Sequence, residues 1–167
     1  DGYEVNPVII SPERKTQLNN NLMLFFTGFS RFSSDIQQTT EKALVDKQKQ
    51  LLEMLSLVDD AEKVLTSKTD LNEFGRLLDY TWKLKRGISN RISTDSIDGL
   101  YAKGIAAGAL GGKLLGAGGG GFLLFYVEAD KQEAVHKAME ELLYVPFEFE
   151  NSGTRVIHYT PETYEKR

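Results

Sequence analysis

The stretch "GGKLLGAGGGGFLLFYVE", residues 111–128, places four consecutive glycines between two short apolar segments. Glycine inside a strand or helix costs stability, so this run indicates a turn or a close approach that a Cβ atom would prevent. The flanking segments "KLLGA" and "GFLLFYV" have the composition of two strands joined across the glycines. We therefore expect another group to lie against this connection.

Working toward the N-terminus, an apolar run at 21–28, "NLMLFFTG", predicts a buried strand that ends in a turn. Three helical segments are predicted between this strand and the glycine run: one from Ser33 or Ser34 to Val58, one capped by Asp70, and one over 93–110. The inward face of the second segment is predicted to contain Leu71, Phe74, Leu78 and Trp82.

Toward the C-terminus, residues 130–143 predict an amphipathic helix. Its inward side chains are expected to be Ala134, Ala138, Leu142 and Leu143. The segment "VPFEFE" alternates at period two, "NSG" predicts a turn, and "TRVIHY" at 154–159 predicts a final strand.

With the three helical segments treated as one connection, the order is strand, helices, strand, strand, helix, strand. This is the order of an α+β, ferredoxin-like split β-α-β sandwich, here with an enlarged helical crossover. The whole chain of 167 residues is predicted to be a single domain, because it is long enough for one substantial core and contains no convincing linker.

Composition narrows the possible functions. The net charge of −4 gives no general attraction to nucleic acid or to an anionic membrane, and the apolar runs are too short to cross a bilayer. Because the chain contains no cysteine, a disulfide framework, a thiolate nucleophile and a zinc-thiolate site are all excluded. We predict a cytoplasmic protein that binds neither nucleic acid nor membrane.

The glycine run fits neither of two familiar nucleotide-binding motifs. Gly116, Gly118 and Gly121 match G-x-G-x-x-G, but a strand pattern follows where a dinucleotide-binding fold requires a helix. A Walker A loop needs Ser or Thr after its lysine, whereas Leu114 follows Lys113. Two interpretations stay open on spacing alone: an anion-binding nest of backbone N–H groups, or a tight hairpin with bulges.

The segment "GALGGKLLGAGGGGFLLF", residues 108–125, closely resembles the third motif of the GHMP small-molecule kinases. The segments "LFFTGFSR" at 24–31 and "TWKLKRGIS" at 81–89 are most similar to the heptose kinase branch of that family. The resemblance spans about residues 20–160. It implies an ATP-dependent sugar kinase that phosphorylates the anomeric hydroxyl of a heptose 7-phosphate or a similar sugar. Another sugar, such as fucose or galactose, is the nearest alternative.

In this family, an N-terminal domain contains the nucleotide loop P-x-x-x-G-L-G-S-S-A and the residues that handle magnesium and the attacked hydroxyl. No such string occurs in this sequence, so the chain resembles the C-terminal half and is predicted to be a fragment. The resemblance then implies no catalytic or metal-binding residue here, with ATP and Mg²⁺ bound mainly by the N-terminal kinase domain of the same protein. That domain and a sugar phosphate are the expected partners.

The resemblance also implies site residues. The loop beside the nucleotide phosphates would comprise Gly116, Ala117, Gly118, Gly119, Gly120 and Gly121. The substrate-binding candidates are Thr27, Gly28, Arg31, Lys83, Ser93, Asp98 and Lys113. Arginine and lysine suit phosphate, and hydroxyl and carboxylate groups suit sugar hydroxyls.

Each charged or polar candidate also has a purely structural interpretation. Arg31 could be a solvated loop residue, and Lys113 could face solvent from its strand. Lys83 and Lys85 are two apart on a helix, so at most one of them points inward. Ser93 or Asp98 could simply cap the helix that begins beside them.

A rival function from another class is a non-catalytic ferredoxin-like module that binds a small ligand or a partner through its sheet. The two histidines do not favour a hydrolase. His136 is expected to be exposed on its helix, and His158 has no evident Ser or Asp partner. The acidic chain also lacks the basic and aromatic strand pattern of RNA-binding sheets.

Overall fold

A computed structural model describes residues 5–29, 47–89, 92–116 and 120–151, together with Gly153, Thr154, Val156 and His158. Its elements, in chain order, are α1 (Pro12–Asn20), β1 (Leu22–Phe26), α2 (Gln48–Thr66), α3 (Asn72–Arg86), α4 (Asp95–Ala106), β2 (Gly111–Leu115), β3 (Phe122–Tyr126), a 3₁₀ turn (Ala129–Lys131), α5 (Gln132–Ala138) and β4 (Leu143–Tyr144). The predicted start of the first long helix, at Ser33 or Ser34, lies outside the described residues.

The four strands form one antiparallel sheet in the order β2-β3-β1-β4. β1 and β3, which are distant in sequence, pair at the centre, and α2, α3 and α4 lie between β1 and β2 along the chain. This arrangement confirms the α+β, ferredoxin-like fold with an enlarged helical crossover.

The two faces of the sheet are buried by different sets of helices, with α2 and α3 contributing to both. One face packs against α4 and α5 around Phe25 and Phe125, whose rings meet edge to face at 6.3 Å. The other face packs against α1, the end of α2 and the start of α3 around Leu22 and Tyr126. Alternate residues of β1 and β3 therefore enter separate apolar clusters, as the pleat requires.

The predicted inward face of α3 packs against both clusters. Leu71 and Trp82 are fully buried, while Phe74 and Leu78 are half-buried. The helix begins later than predicted: Leu71 is the cap residue, and the Asp70 carboxylate accepts a 3.0 Å hydrogen bond from the Asn72 N–H.

The predicted inward face of the 130–143 helix was right only in part, because Ala138 and Leu142 are half-buried against the core, whereas Ala134 and Leu143 are exposed. The helix ends at Ala138, and the fully buried side chains are those of Val135 within it and of Met139 just after it. Val135 and Met139 are four residues apart and larger than alanine, so turning them inward buries more apolar surface. Leu143 lies in β4 and is 66% exposed.

The position of the last strand was also wrong. Thr154, Val156 and His158, the described residues of "TRVIHY", belong to no strand. Leu143 and Tyr144 instead pair with Phe26 and Phe25, on the side of β1 away from β3. The chain after β4 is held by α1, where the Phe149 N–H donates to the Asn19 Oδ1 at 3.1 Å.

Replacing Tyr126 by phenylalanine is expected to lower the free energy of unfolding by about 1–2 kcal/mol, because a buried polar partner is left without its hydrogen bond. The Tyr126 side chain is fully buried, and its hydroxyl accepts from the Asn21 Nδ2 at 2.8 Å and donates to the Asn72 Oδ1 at 3.3 Å. Urea denaturation measures the change. Tyr80→Phe is the control, because Tyr80 is 44% exposed and water can replace its bond to Glu53. Equal small losses in the two variants would contradict the prediction.

None of the helices in the described ranges combines the length and the apolar character needed to span a bilayer.

Candidate functional site

The ends of three strands meet at one edge of the sheet. Phe26, at the end of β1, pairs with Phe122 at the start of β3, and Leu115, at the end of β2, pairs with the same residue. The residues that follow β1 and β2 and precede β3 therefore lie together. We call Thr27, Gly28, Phe29, Gly116, Gly120 and Gly121 the glycine edge.

The second half of the glycine loop is bonded to the segment after β1. The Gly121 carbonyl accepts from both the N–H and the hydroxyl of Thr27, each at 2.9 Å, and the Gly121 N–H donates to the Phe29 carbonyl at 3.0 Å. The Thr27 side chain is buried, so its hydroxyl holds the edge together within the domain. A contact between Thr27 and a substrate stays a prediction.

Two of the loop glycines are required by this close contact. A Cβ atom on Gly120 would stand 2.4 Å from the Phe29 carbonyl oxygen. Gly121 has φ +112°, a conformation that L-residues rarely adopt, and a Cβ there would lie 2.7 Å from the Leu115 carbonyl oxygen. The group expected against the glycines is therefore, in part, the chain's own segment 27–29.

A pocket of about 410 Å³ opens beside Thr27, a volume within the usual range for small-molecule sites. Phe29, Leu100 and Leu142 supply apolar walls, and the start of α4 contributes Asp95 and Ser96. The remaining lining residues are Thr27, Gly99, Lys103 and Glu141, and the last two form a 2.6 Å ion pair. The pocket therefore combines apolar walls with a few polar groups next to the glycine edge.

Ser93 and Asp98 belong to a single hydrogen-bonded group. The Ser93 hydroxyl donates to the Asp98 carboxylate at 2.5 Å, and the Arg86 guanidinium donates to the other oxygen of that carboxylate. The cap of α4 is Thr94, which accepts from the Ile97 N–H. Sequence reasoning missed Arg86, because it lies twelve residues before Asp98 and no local spacing connects the two.

The two lysines of α3 differ in environment. Lys83 is 64% exposed and forms a 2.6 Å ion pair with Asp79. Lys85 is half-buried, and burial together with the positive charge of Lys113 lowers the pKa of its ammonium group. Lys85 is thus the more buried of the pair, and the half-buried Lys113 on β2 lies near it.

Asp79 is also bonded to Tyr101, whose hydroxyl donates to it at 2.8 Å and also contacts the Gly112 carbonyl at 3.3 Å. Burial and the bond to Asp79 raise the pKa of Tyr101 well above its ordinary value, so this phenol stays neutral at physiological pH. The Tyr101 hydroxyl connects α4 to α3 and to β2 through these hydrogen bonds, and it is unsuited to proton transfer.

Of the other candidates, Gly28 is exposed with φ +74°, and Gly116 is exposed with φ +110°. Arg31, Ala117, Gly118 and Gly119 lie outside the described residues. His136 is exposed, with its ring 5.3 Å from that of Tyr144. Within the described ranges, no group of three or more acidic or histidine side chains could hold a metal ion.

Comparison with known proteins adds a family match. The family described as GHMP kinases C terminal matches residues 57–145, more than half of the chain. The D-glycero-alpha-D-manno-heptose 7-phosphate kinase of Campylobacter jejuni is 32% identical over 155 residues, covering 90% of this chain and 45% of that enzyme.

Two more distant relatives extend the comparison. The bifunctional fucokinase/GDP-fucose pyrophosphorylase of Arabidopsis thaliana is 24% identical over 142 residues, covering 83% of this chain and 13% of that protein. The mevalonate kinase of Methanococcus jannaschii superposes with a TM-score of 0.67 at 23% identity, covering 81% of this chain and 42% of that one. The chain thus spans less than half the length of each of these three relatives.

Proposed function

The chain belongs to the GHMP kinases, as a C-terminal domain of that family, and on this premise we propose that it is the substrate-side half of an ATP-dependent sugar kinase. The observation that carries the proposal is the glycine edge, where hydrogen bonds hold Gly121 against Thr27 and Phe29 beside a pocket of small-molecule size. In the working enzyme, this edge would face a companion N-terminal half that holds most of the nucleotide.

The expected contribution of this half is positioning. Phosphoryl transfer depends mainly on alignment of the reactants and on stabilisation of charge, and glycines let a phosphate approach the backbone closely. ATP would supply the transferred phosphoryl group, with Mg²⁺ neutralising its charge. We assign Mg²⁺ to the companion half, as the family resemblance implies.

The substrate we propose is a heptose 7-phosphate or a similar sugar, phosphorylated at its anomeric hydroxyl. The 32% identity to the Campylobacter enzyme over 90% of the chain supports this choice. A fucose- or galactose-type substrate is the second candidate, favoured by the weaker similarity to the Arabidopsis protein. The pocket's mixture of Asp95, Ser96 and Lys103 with apolar walls suits hydroxyl groups on a carbon ring.

The test joins this chain to a GHMP N-terminal domain and measures ADP formation with MgATP and each of three acceptors: heptose 7-phosphate, fucose and galactose. ³¹P NMR of the product identifies the phosphorylated oxygen. We expect turnover with the heptose 7-phosphate and a new anomeric phosphate signal. Turnover with only fucose or galactose would instead identify that sugar as the substrate.

The same experiment separates the rival function. If the two halves associate by size-exclusion chromatography but no acceptor is consumed, the kinase proposal fails for these sugars. If they neither associate nor turn over, a non-catalytic ferredoxin-like binding module is the better description. The chain alone should show no ATP consumption, because the implied catalytic groups belong to the other half.

A further inference from the structure

The described charged side chains around the end of α3 differ in whether they make ion pairs. Asp79 is bonded to Lys83 and to Tyr101, and Asp98 is bonded to Arg86 and to Ser93. Both carboxylates are thus already engaged. Within the part of the chain that the structure describes, neither Lys85 nor Lys113 makes an ion pair.

Lys85 and Lys113 come close because α3 and β2 lie side by side. A Cβ atom on Gly75 would touch the Leu110 side chain, and Asp79 packs against Gly111. From these contacts, α3 and β2 therefore run in the same direction, toward the glycine loop. Six helical residues beyond Asp79 cover about 9 Å, which corresponds to about three strand residues. Lys85 therefore lies level with the last residues of β2, just before Gly116.

Lys85 and Lys113 are both half-buried side chains of the same charge, and the structure places them on the facing sides of α3 and β2. The positive charge of Lys113 and the partial burial of Lys85 both act against the charged form of Lys85. A third charge of opposite sign between them would reverse this effect, as a phosphate does between paired cations. Lys83, two residues away, differs because Asp79 already neutralises it.

We propose that Lys85 and Lys113 together bind a phosphoryl group of the reactants, beside the first glycine of the loop. The identification of the reactants rests on the proposed kinase function, whereas the anion site itself does not. The phosphoryl group is either the one already present on the sugar or one belonging to the nucleotide. Two lysines offer up to six N–H donors, which suits the several acceptor oxygens of a phosphate dianion.

The binding arm titrates the chain with inorganic pyrophosphate by calorimetry. Lys85→Gln and Lys113→Gln are each expected to weaken binding at least tenfold, and the matched control Lys83→Gln by less than twofold. Lys85→Arg should retain most of the affinity. NMR of the lysine ammonium groups should show the pKa of Lys85 rising when pyrophosphate is added, because a bound anion stabilises the charged form.

The kinetic arm uses the assembled two-domain enzyme. A tenfold rise in KM for the sugar phosphate, with KM for ATP within twofold, assigns the site to the sugar's phosphate, and the opposite pattern assigns it to the nucleotide. Pyrophosphate binding that Lys85→Gln and Lys113→Gln leave unchanged would overturn the proposal. If the enzyme accepts none of the sugars, the proposed function fails, and the binding arm still decides the anion site.

Discussion

Replacing Gly111 by alanine is expected to lower the free energy of unfolding by about 3 kcal/mol, at the upper end of the usual cost of overpacking. A Cβ atom at this position would stand 1.9 Å from the Gly75 carbonyl oxygen and 2.8 Å from the Asp79 N–H nitrogen. Both atoms belong to the backbone of α3, so no side-chain rotation relieves the clash. The helix has to move away from the edge strand β2.

Urea denaturation followed by circular dichroism measures this loss, and Gly87→Ala is the matched control. Gly87 also lies against a neighbouring helix, but the atom nearest its hypothetical Cβ is the Gln50 Nε2 at 3.0 Å, the end of a flexible side chain. We expect a cost below about 1 kcal/mol there, because the glutamine can shift. Similar costs at the two positions would mean that α3 does not pack on β2 as described.

The three long strands were predictable because each forms an apolar run bounded by glycine or a polar turn. β1 and β3 bury side chains on both faces of the sheet, and such strands produce nearly continuous apolar sequence, whereas β2 buries only the Leu114 side chain and is indicated by the glycines around it. β4 could not be predicted in the same way. It is two residues long, Leu143 is 66% exposed, and its partner β1 lies more than a hundred residues earlier. Pairing with a free edge leaves no signature in so short a segment.

The candidate site was predictable only where it depends on adjacent residues. The glycine run shows that side chains are excluded, but it does not show which group excludes them. Phe29, whose carbonyl contacts Gly120 and Gly121, lies some ninety residues earlier in the chain. Likewise, the spacing of Lys83 and Lys85 shows that they face different ways. The i,i+4 spacing of Asp79 and Lys83 on the helix favours their ion pair, but only the packing of β2 on α3 brings Lys113 near Lys85.

The hydrogen bonds of Gly121 bear on the two interpretations of the glycine run. On spacing alone, an anion nest and a tight hairpin were equally open. The Gly121 N–H donates to the Phe29 carbonyl, and the Gly121 carbonyl accepts from Thr27. We call these hydrogen bonds the clamp, because they hold this end of the loop in place. A phosphate would then bind to side-chain cations and to the exposed backbone at Gly116. The clamp would hold the loop in position.

Replacing Gly121 by alanine in the assembled enzyme is therefore expected to lower kcat/KM about 100-fold, the cost of misplacing a reacting group by roughly 1 Å. Alanine at φ +112° is strained, and its Cβ would lie 2.7 Å from the Leu115 carbonyl oxygen, so the loop has to shift away from β2. Such a shift strains the bonds to Thr27 and Phe29. Steady-state kinetics measures the effect.

Gly153→Ala is the control for the strain itself. Gly153 also has a positive φ, +64°, but nothing lies within 4 Å of its hypothetical Cβ. We expect its kcat/KM to stay within twofold of the parent. Urea denaturation of both variants separates a misplaced loop from an unfolded domain, because a strained residue costs only about 1–3 kcal/mol. A folded Gly121→Ala enzyme with unchanged kcat/KM would show that the clamp does not position any reacting group.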